Sequence, residues 1–198
     1  PVQEVYTKRA LPHLQRFVRH ILFVKGRYFV IFDDLSASQP STYTWLYHIL
    51  PDQNFAFDPA TFTVDYSVGG VRTRLKHLSR PGQLKLDNRK GLDAFKNPFT
   101  GEAYNETRRG DILCAHNLWI SNTAPAEDWN FLAVVYPAAP GMQIPEIERI
   151  DDKTARVGDD IICFDPASPT AARATIVVDT AQFRPDSPAR QKMLGSGK

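Results

Sequence analysis

Residues 16–33 read RFVRHILFVKGRYFVIFD and contain the first clear structural unit of the chain. Two runs rich in Phe, Val and Ile flank Lys25-Gly26, a short turn that contains glycine, so the pattern predicts a β-hairpin. Apolar alternation with a period of two recurs at residues 43–50 and again on both sides of Gly69-Gly70. A helical period is not sustained for more than two turns anywhere in the chain.

The remaining chain continues in short strands. Residues 79–110 contain Pro-Gly and Asn-Pro pairs with mixed charges, which predicts a long irregular excursion. Apolar runs then resume between acidic and glycine-containing turns. About ten to twelve strands without βαβ spacing predict an all-β, antiparallel two-sheet sandwich. We expect one domain over residues 1–183 and a flexible tail over residues 184–198, which hold two prolines and Gly195-Ser196-Gly197.

Composition excludes several classes of protein. The 198 residues are 42% apolar and 23% charged, which is typical of a globular domain. The net charge of +2 is too small to argue for nucleic acid, and no apolar run approaches the ~20 residues that span a bilayer. We interpret Pro1, in place of an initiating methionine, as a processed terminus or the start of a fragment. Cys114 and Cys163 lie in apolar runs, which favours buried free thiols over a disulfide.

Alternation assigns the polar side chains to faces, because neighbours along a strand point to opposite sides. Within residues 43–50 it places the bulky side chains on one face and Leu46 with His48 on the other. Within residues 61–66 it places Asp65 opposite the apolar set. If these two strands are neighbours in one sheet, His48 and Asp65 can meet.

A basic stripe follows on the next strand. Arg72, Arg74 and Lys76 share one side, two residues apart. The stripe fits a solvated outer face. It also fits a binding surface for an anionic polymer. A polyuronate is the preferred candidate, and a nucleic acid is the less favoured one.

Chemistry-bearing motifs are sparse. The sequence has no phosphate-binding glycine loop, no nucleophile elbow, no Cys-x-x-Cys and no His-Glu-x-x-His. His48 and His116 each lie in an apolar strand, where a hydrogen-bonded core histidine is the commonest outcome. Zinc favours nitrogen and carboxylate ligands, so Asp65 strengthens the alternative of a metal site.

Three stretches together resemble a known family. RHILFVKGRYFVIFDDL, TWLYHIL and HNLWISNTAPAEDWNFLAVVYP are similar to the C-terminal β-sheet domain of heparinase II/III-like polysaccharide lyases. The resemblance implies a β-sandwich that packs on an N-terminal α-helical toroid and acts on an acidic polysaccharide. It also implies β-elimination, in which a base removes the C5 proton of a uronate and an acid protonates the leaving glycosidic oxygen.

The resemblance further implies site residues. Relatives carry two histidines at i and i+2 on the strand after a tryptophan, the first catalytic and the second bound to metal. The matching positions here are Leu46 and His48, so the expected catalytic histidine is replaced. His48, Asp65 and His116 become the candidate ligands of one structural zinc. Tyr104 resembles the catalytic tyrosine in its placement along the chain.

Two alternatives stay open at this point. If the match is shifted by two residues, His48 is the catalytic histidine and the zinc site disappears. The preferred function is the C-terminal domain of a polysaccharide lyase, inactive without its helical domain because half of the active site would be absent. The competing function is a non-catalytic carbohydrate-binding or scaffold sandwich, with core histidines and a merely solvated basic stripe.

Overall fold

The structure, a computed structural model, describes residues 13–24, 26–49, 53–80, 82–89, 116–165 and 173–177. All regular structure in these ranges is antiparallel β-strand, which confirms the predicted all-β class. No helix in this part of the chain is long and apolar enough to cross a membrane. The strands are β1 (Leu14–Val24), β2 (Tyr28–Ser41), β3 (Thr44–Ile49), β4 (Gln53–Asp58), β5 (Thr63–Val68), β6 (Val71–His77), β7 (Leu84–Arg89), β8 (His116–Asn122), β9 (Ala126–Ala138), β10 (Ile147–Arg149), β11 (Thr154–Val157), β12 (Asp160–Asp165) and β13 (Arg173–Val177).

The chain divides into two units, Pro1–Ile144 and Pro145–Lys198. The first contains a six-stranded sheet in the order β1-β2-β9-β6-β5-β4 and a three-stranded sheet in the order β3-β8-β7. The second contains a four-stranded sheet in the order β10-β11-β12-β13. The domain boundary predicted at residue 183 lies outside the described residues.

The predicted hairpin is present as β1 and β2. Val24 pairs with Tyr28, and the backbone N–H of Arg27 donates to the Val24 carbonyl at 2.9 Å. Gly26 has a φ of 76°, a conformation that costs glycine little and other residues more. The turn therefore explains why this short link contains a glycine.

A hydrophobic core joins the two sheets of the first unit into a sandwich. Side chains of β3 and β8 pack with side chains of β5, β6 and β9, including Trp45, Ile49, Leu118, Ile120, Val64, Leu75 and Phe131. The hydroxyls of Tyr47 and Tyr66 meet across the sheets at 2.7 Å. Burial raises the pKa of Tyr47 far above its ordinary value, so this hydroxyl stays protonated. Removal of the apolar side chains from water is the main stabilising term.

His77 lies inside this core and is only 4% exposed. The rings of Trp45, Phe62 and Phe131 surround it edge-on, with centroids at 4.7, 6.0 and 6.2 Å. Neither ring nitrogen has a hydrogen-bond partner in the described part of the chain. Burial lowers the pKa of His77 to about 3, so the imidazole is neutral at neutral pH.

Two strands were not expected from the sequence. In the sequence β4 lies between Pro51 and Pro59, and β7 lies inside the stretch predicted to be irregular. In β7 only Leu84 and Leu86 reach the core, while Lys85, Asp87 and Arg89 occupy the other side. A strand at the edge of a sheet with one apolar side needs few apolar residues, which explains the missed prediction.

Candidate functional site

The outer face of the three-stranded sheet brings together the polar and aromatic side chains of most interest. Residues paired directly in an antiparallel ladder project from the same side of the sheet. His48 pairs with Asn117, which pairs with Arg89. One step along, Leu46 pairs with Trp119. We call this side of the sheet, which carries Leu46, His48, Trp119, Arg89 and the fully buried Asn117, the three-stranded face.

His48 is held by Asn117. Its Nδ1 lies 2.5 Å from the side-chain oxygen of Asn117, and the Asn117 amide nitrogen donates to the Arg89 carbonyl at 3.3 Å. Because the Asn117 oxygen can only accept, this network assigns the proton to Nδ1. Nε2 of the neutral imidazole then carries the lone pair. The exposed side chain of His48 can therefore accept a proton or bind a metal through Nε2.

Trp119 and Arg89 form a stacked pair beside His48. The Arg89 guanidinium carbon lies 3.8 Å from the centroid of the Trp119 ring, and Arg89 Nε donates to Asp87 at 2.8 Å. Leu46, 45% exposed, flanks the indole. Stacking holds the guanidinium in a fixed plane, which suits recognition of a carboxylate or sulfate. The pair thus provides an apolar surface and a positive charge at one place.

His116 lies on the other face of the same sheet. It pairs with Ile49, the inward-facing neighbour of His48. Its ring stacks on Phe55 at 3.8 Å, and its Nδ1 lies 2.9 Å from the Asn88 amide. Ile49 follows His48 along β3, so Ile49 and its partner His116 project from the opposite side of the sheet. The two imidazoles therefore do not converge.

Asp65 lies in the other sheet, on its outer face. Both of its carboxylate oxygens accept hydrogen bonds from Arg74, at 2.8 and 2.7 Å. This bonding raises the pKa of Arg74. The hydrophobic core separates Asp65 from His48, because the two residues face away from it on opposite sides.

The predicted zinc ligands are therefore not brought together. His48, His116 and Asp65 occupy the outside of one sheet, the inside of the same sheet and the outside of the other. Among the residues that the structure describes, no group of three or more His, Cys, Asp or Glu side chains could hold a metal ion. The arrangement of these three side chains does not fit the expected zinc site.

The basic stripe has the predicted arrangement along β6. Arg72, Arg74 and Lys76 share one side of the strand, paired with Ser67, Asp65 and Thr63. Arg74 is occupied by Asp65, and Arg72 donates to the Met142 carbonyl at 3.5 Å. The stripe lies on the side of the sandwich opposite His48, so the two do not form a single site.

Two of the sequence-predicted residues are in parts of the chain without a described structure. Tyr104 and Cys114 both lie between Arg89 and His116. This segment connects β7 to β8. The end of β7 and the start of β8 both lie beside His48. Cys163 is described and is a free thiol.

The sequence analysis missed Asn117, Trp119 and Arg89. A signal for two of them was present, because HNLWISN alternates Asn117, Trp119 and Ser121 with the apolar Leu118 and Ile120. That alternation predicts an outward tryptophan on a half-buried strand. No local pattern marked Arg89, since its strand was not recognised.

Comparisons with known proteins agree with this fold. Residues 3–125 match the family model described as heparinase II/III-like, C-terminal, and the chain belongs to this family. It is similar to heparan sulfate lyase HepC from Pedobacter heparinus, with a TM-score of 0.53 and 18% identity over 84% of this chain and 24% of that chain. The heparinase III product of the BT4657 gene gives a TM-score of 0.50 and 17% identity, over 74% of this chain and 21% of that chain. No curated protein sequence matches.

Proposed function

We propose that this chain is the C-terminal domain of a polysaccharide lyase that cleaves a uronate-containing acidic polysaccharide by β-elimination. The observation that carries the proposal is His48 on the three-stranded face, with Nδ1 bonded to Asn117 and Nε2 left to exchange a proton. Membership of the heparinase II/III-like family supports the reaction class.

The proposed reaction needs two proton transfers. A base takes the C5 proton of the uronate, the C4–O bond breaks, a C4–C5 double bond forms, and the glycosidic oxygen gains a proton. Histidine is the commonest side chain for such transfers. We assign one of them to Nε2 of His48, which takes the role that the sequence match gave to position 46. Tyr104 is the proposed group for the other transfer.

Substrate binding is proposed for the stacked pair of Trp119 and Arg89. Neutralising the uronate carboxylate favours loss of the C5 proton, because negative charge develops next to that group. Arg89 presents a fixed cation beside His48, and the indole offers an apolar surface for a sugar ring. The basic stripe on the opposite side is proposed as a second, weaker contact surface for the anionic chain.

The proposed partner is an N-terminal α-helical toroid of the same protein. The chain spans only 24% of the HepC chain that it resembles. At the β1 edge of the six-stranded sheet, apolar side chains on the core-facing side are exposed, among them Ile21 at 62% and Phe23 at 52%. Such a patch is typical of a surface that another domain covers. The active site would then be completed by residues of that domain.

An eliminase assay tests the proposal. The isolated chain, given heparan sulfate, is expected to produce no unsaturated uronate; full activity in the isolated chain would overturn the claim that the domain is incomplete. In the longer protein, His48→Ala should lower kcat by about 10²–10⁴-fold. His20→Gln, on β1 of the other sheet, is the matched control and should leave kcat within about twofold.

A non-catalytic sugar-binding domain is the competing outcome. It predicts unchanged heparan sulfate binding in His48→Ala and no eliminase activity in the longer protein with either histidine. Loss of kcat with retained binding in His48→Ala supports the lyase instead.

A further inference from the structure

A cavity of about 540 Å³ opens at the β1 edge of the first unit. Its lining comes from β1, β2, the link to β3 and the beginning of β3, with Phe131 of β9, and includes Phe17, Arg19, Asp33, Thr42, Tyr43 and Thr44. The volume lies in the range of small-molecule sites. Thr44 begins β3 and His48 lies near its end, so the cavity is separate from the stacked pair and His48.

An ion pair forms the polar centre of the cavity. Arg19 donates through Nε and Nη2 to the two carboxylate oxygens of Asp33, at 2.7 and 2.6 Å. The Asp33 side chain is only 2% exposed, and the bonding to it raises the pKa of Arg19. The guanidinium lies 5.8 Å from the ring centroids of both Phe17 and Trp45. A cation and an anion are thus fixed against aromatic walls with no net charge.

This pair retains unused hydrogen-bonding capacity. Both Asp33 oxygens accept from Arg19, and the Asp33 side chain is too buried for a ligand to reach, so the open capacity is on the half-exposed guanidinium. Nη1 of Arg19 has no hydrogen-bond partner among the described residues. A ligand with two adjacent acceptor oxygens can therefore accept from Nη1 and from the second N–H of Nη2 of Arg19.

We propose that this cavity binds a neutral pyranose ring through two adjacent hydroxyl groups. The two oxygens of a vicinal diol accept from Nη1 and Nη2 of Arg19, which Asp33 holds in place, and the C–H surface of the ring packs on the exposed ring of Phe17. The hydroxyls of Thr42 and Thr44 lie at the rim. An additional carboxylate would meet the negative charge of Asp33, so a neutral sugar fits better than a uronate. The inference shares with the proposed function only the ligand class, saccharides.

The chain contains a matched control for this pair. Arg16 and Asp34 lie on the same two strands, and Arg16 likewise bonds both Asp34 oxygens, at 2.8 and 3.0 Å. This second pair does not line the cavity, and no aromatic ring faces the Arg16 guanidinium in the described part of the chain. It should bind no sugar.

NMR of the Arg Nε–H signals in the 198-residue chain tests the proposal, with methyl β-D-glucopyranoside as the ligand. We expect a saturable shift of the Arg19 signal with a Kd on the order of 1 mM, typical of a ligand of this size. The Arg16 signal should not move. The 3-deoxy glucoside lacks every vicinal diol of the ring and should bind about tenfold more weakly or worse.

Two variants complete the experiment. Thr42→Trp, at an exposed rim position, should fill the cavity and abolish the shift without a change in Tm. Asp33→Asn should weaken binding, whereas Asp34→Asn should not. The proposal is overturned by no Arg19 shift up to about 50 mM glucoside, by equal binding of the 3-deoxy sugar, or by retained binding in Thr42→Trp. None of these readouts requires eliminase activity, so the lyase proposal stands or fails separately.

Discussion

The two outer faces of the sandwich carry similar residue types and use them in opposite ways. On the six-stranded sheet, Asp65 and Arg74 satisfy each other through two hydrogen bonds. On the three-stranded face, Asn117 holds only one nitrogen of His48, and Arg89 stacks on Trp119 and, among the described residues, bonds Asp87 through Nε alone. On the six-stranded sheet the charged groups bond each other. On the three-stranded face the polar groups are held in place but keep atoms that are free to bond a ligand.

This contrast distinguishes a structural ion pair from a binding site. A partly exposed pair such as Asp65 and Arg74 contributes only about 0.2–1 kcal/mol to stability. Both carboxylate oxygens of this pair are already bonded to the guanidinium. A side chain that is hydrogen-bonded at one atom and unbonded at another can bind a ligand with little further loss of conformational entropy. By this criterion the functional surface is the three-stranded face.

The largest predicted effect is on the pH dependence of stability and comes from His77, in the core between the two faces. His77 has a pKa of about 3 in the folded protein and about 6.5 when unfolded. Below pH 6.5 the unfolded state binds the extra proton, so the free energy of unfolding falls as the pH decreases. Denaturant unfolding should show a loss of about 2 kcal/mol at pH 5 relative to pH 7.5 from this residue.

His77→Phe isolates that contribution from the other titrating groups. Phenylalanine fits an aromatic cage and has no ring nitrogen to protonate or leave unpaired. The variant should lose about 2 kcal/mol less than the wild type between pH 7.5 and pH 5. Parallel pH curves for the two proteins would show that His77 does not titrate in this way.

The faces themselves can be compared by paired substitutions. Arg89→Ala should weaken binding of heparan sulfate by about tenfold, because a charge-assisted hydrogen bond to the polymer is lost. Arg74→Ala should weaken it by less than about twofold, since two of its nitrogens are bonded to Asp65, whereas Arg89, in the described part of the chain, bonds Asp87 through Nε alone. Titration at low and high salt, followed by tryptophan fluorescence, measures both. A larger effect of Arg74 would make the six-stranded sheet the binding surface.

A smaller effect is expected from the anchor of His48. Asn117→Ala removes the acceptor at Nδ1 and should lower stability by about 1 kcal/mol. It should also release the tautomer preference of His48, which ¹⁵N chemical shifts of the imidazole report. Asn88→Ala is the matched control, because Asn88 bonds His116 on the inner side of the same sheet. If His48 keeps its Nδ1 proton in Asn117→Ala, the hydrogen bond does not set the tautomer.

Alternation within each strand was enough to predict the outward position of His48 and Asp65. Trp45 and Ile49 are buried while Leu46 and His48 are exposed, as the pattern TWLYHI indicates. A period of two is a property of one strand, and the register and the neighbouring strand decide what lies beside it. Nothing in the local sequence states that β3 pairs with β8 and β5 pairs with β4 and β6.

The same limit explains the residues that were missed. Asn117 and Arg89 become functional candidates only through their pairing with His48, and Arg89 is 41 positions away from it along the chain. β7 in particular has too few apolar residues to be recognised as a strand. The hairpin of β1 and β2 was predictable because its apolar runs and its glycine turn are contiguous.

Zinc gives the smallest expected effect and the sharpest test of the separation between the faces. If His48 and Asp65 lie on opposite sides of the core, one ion cannot bind both, since zinc–ligand bonds are only about 2.0–2.2 Å long. His48→Ala and Asp65→Ala should then have the same zinc content as the wild type, by elemental analysis after dialysis, and the same Tm with and without added zinc. His20→Gln controls for adventitious binding by a partly exposed imidazole on another strand. Stoichiometric zinc in the wild type that is lost in both variants would contradict this arrangement. It would require β3 and β5 to be neighbours and His48 to be a metal ligand.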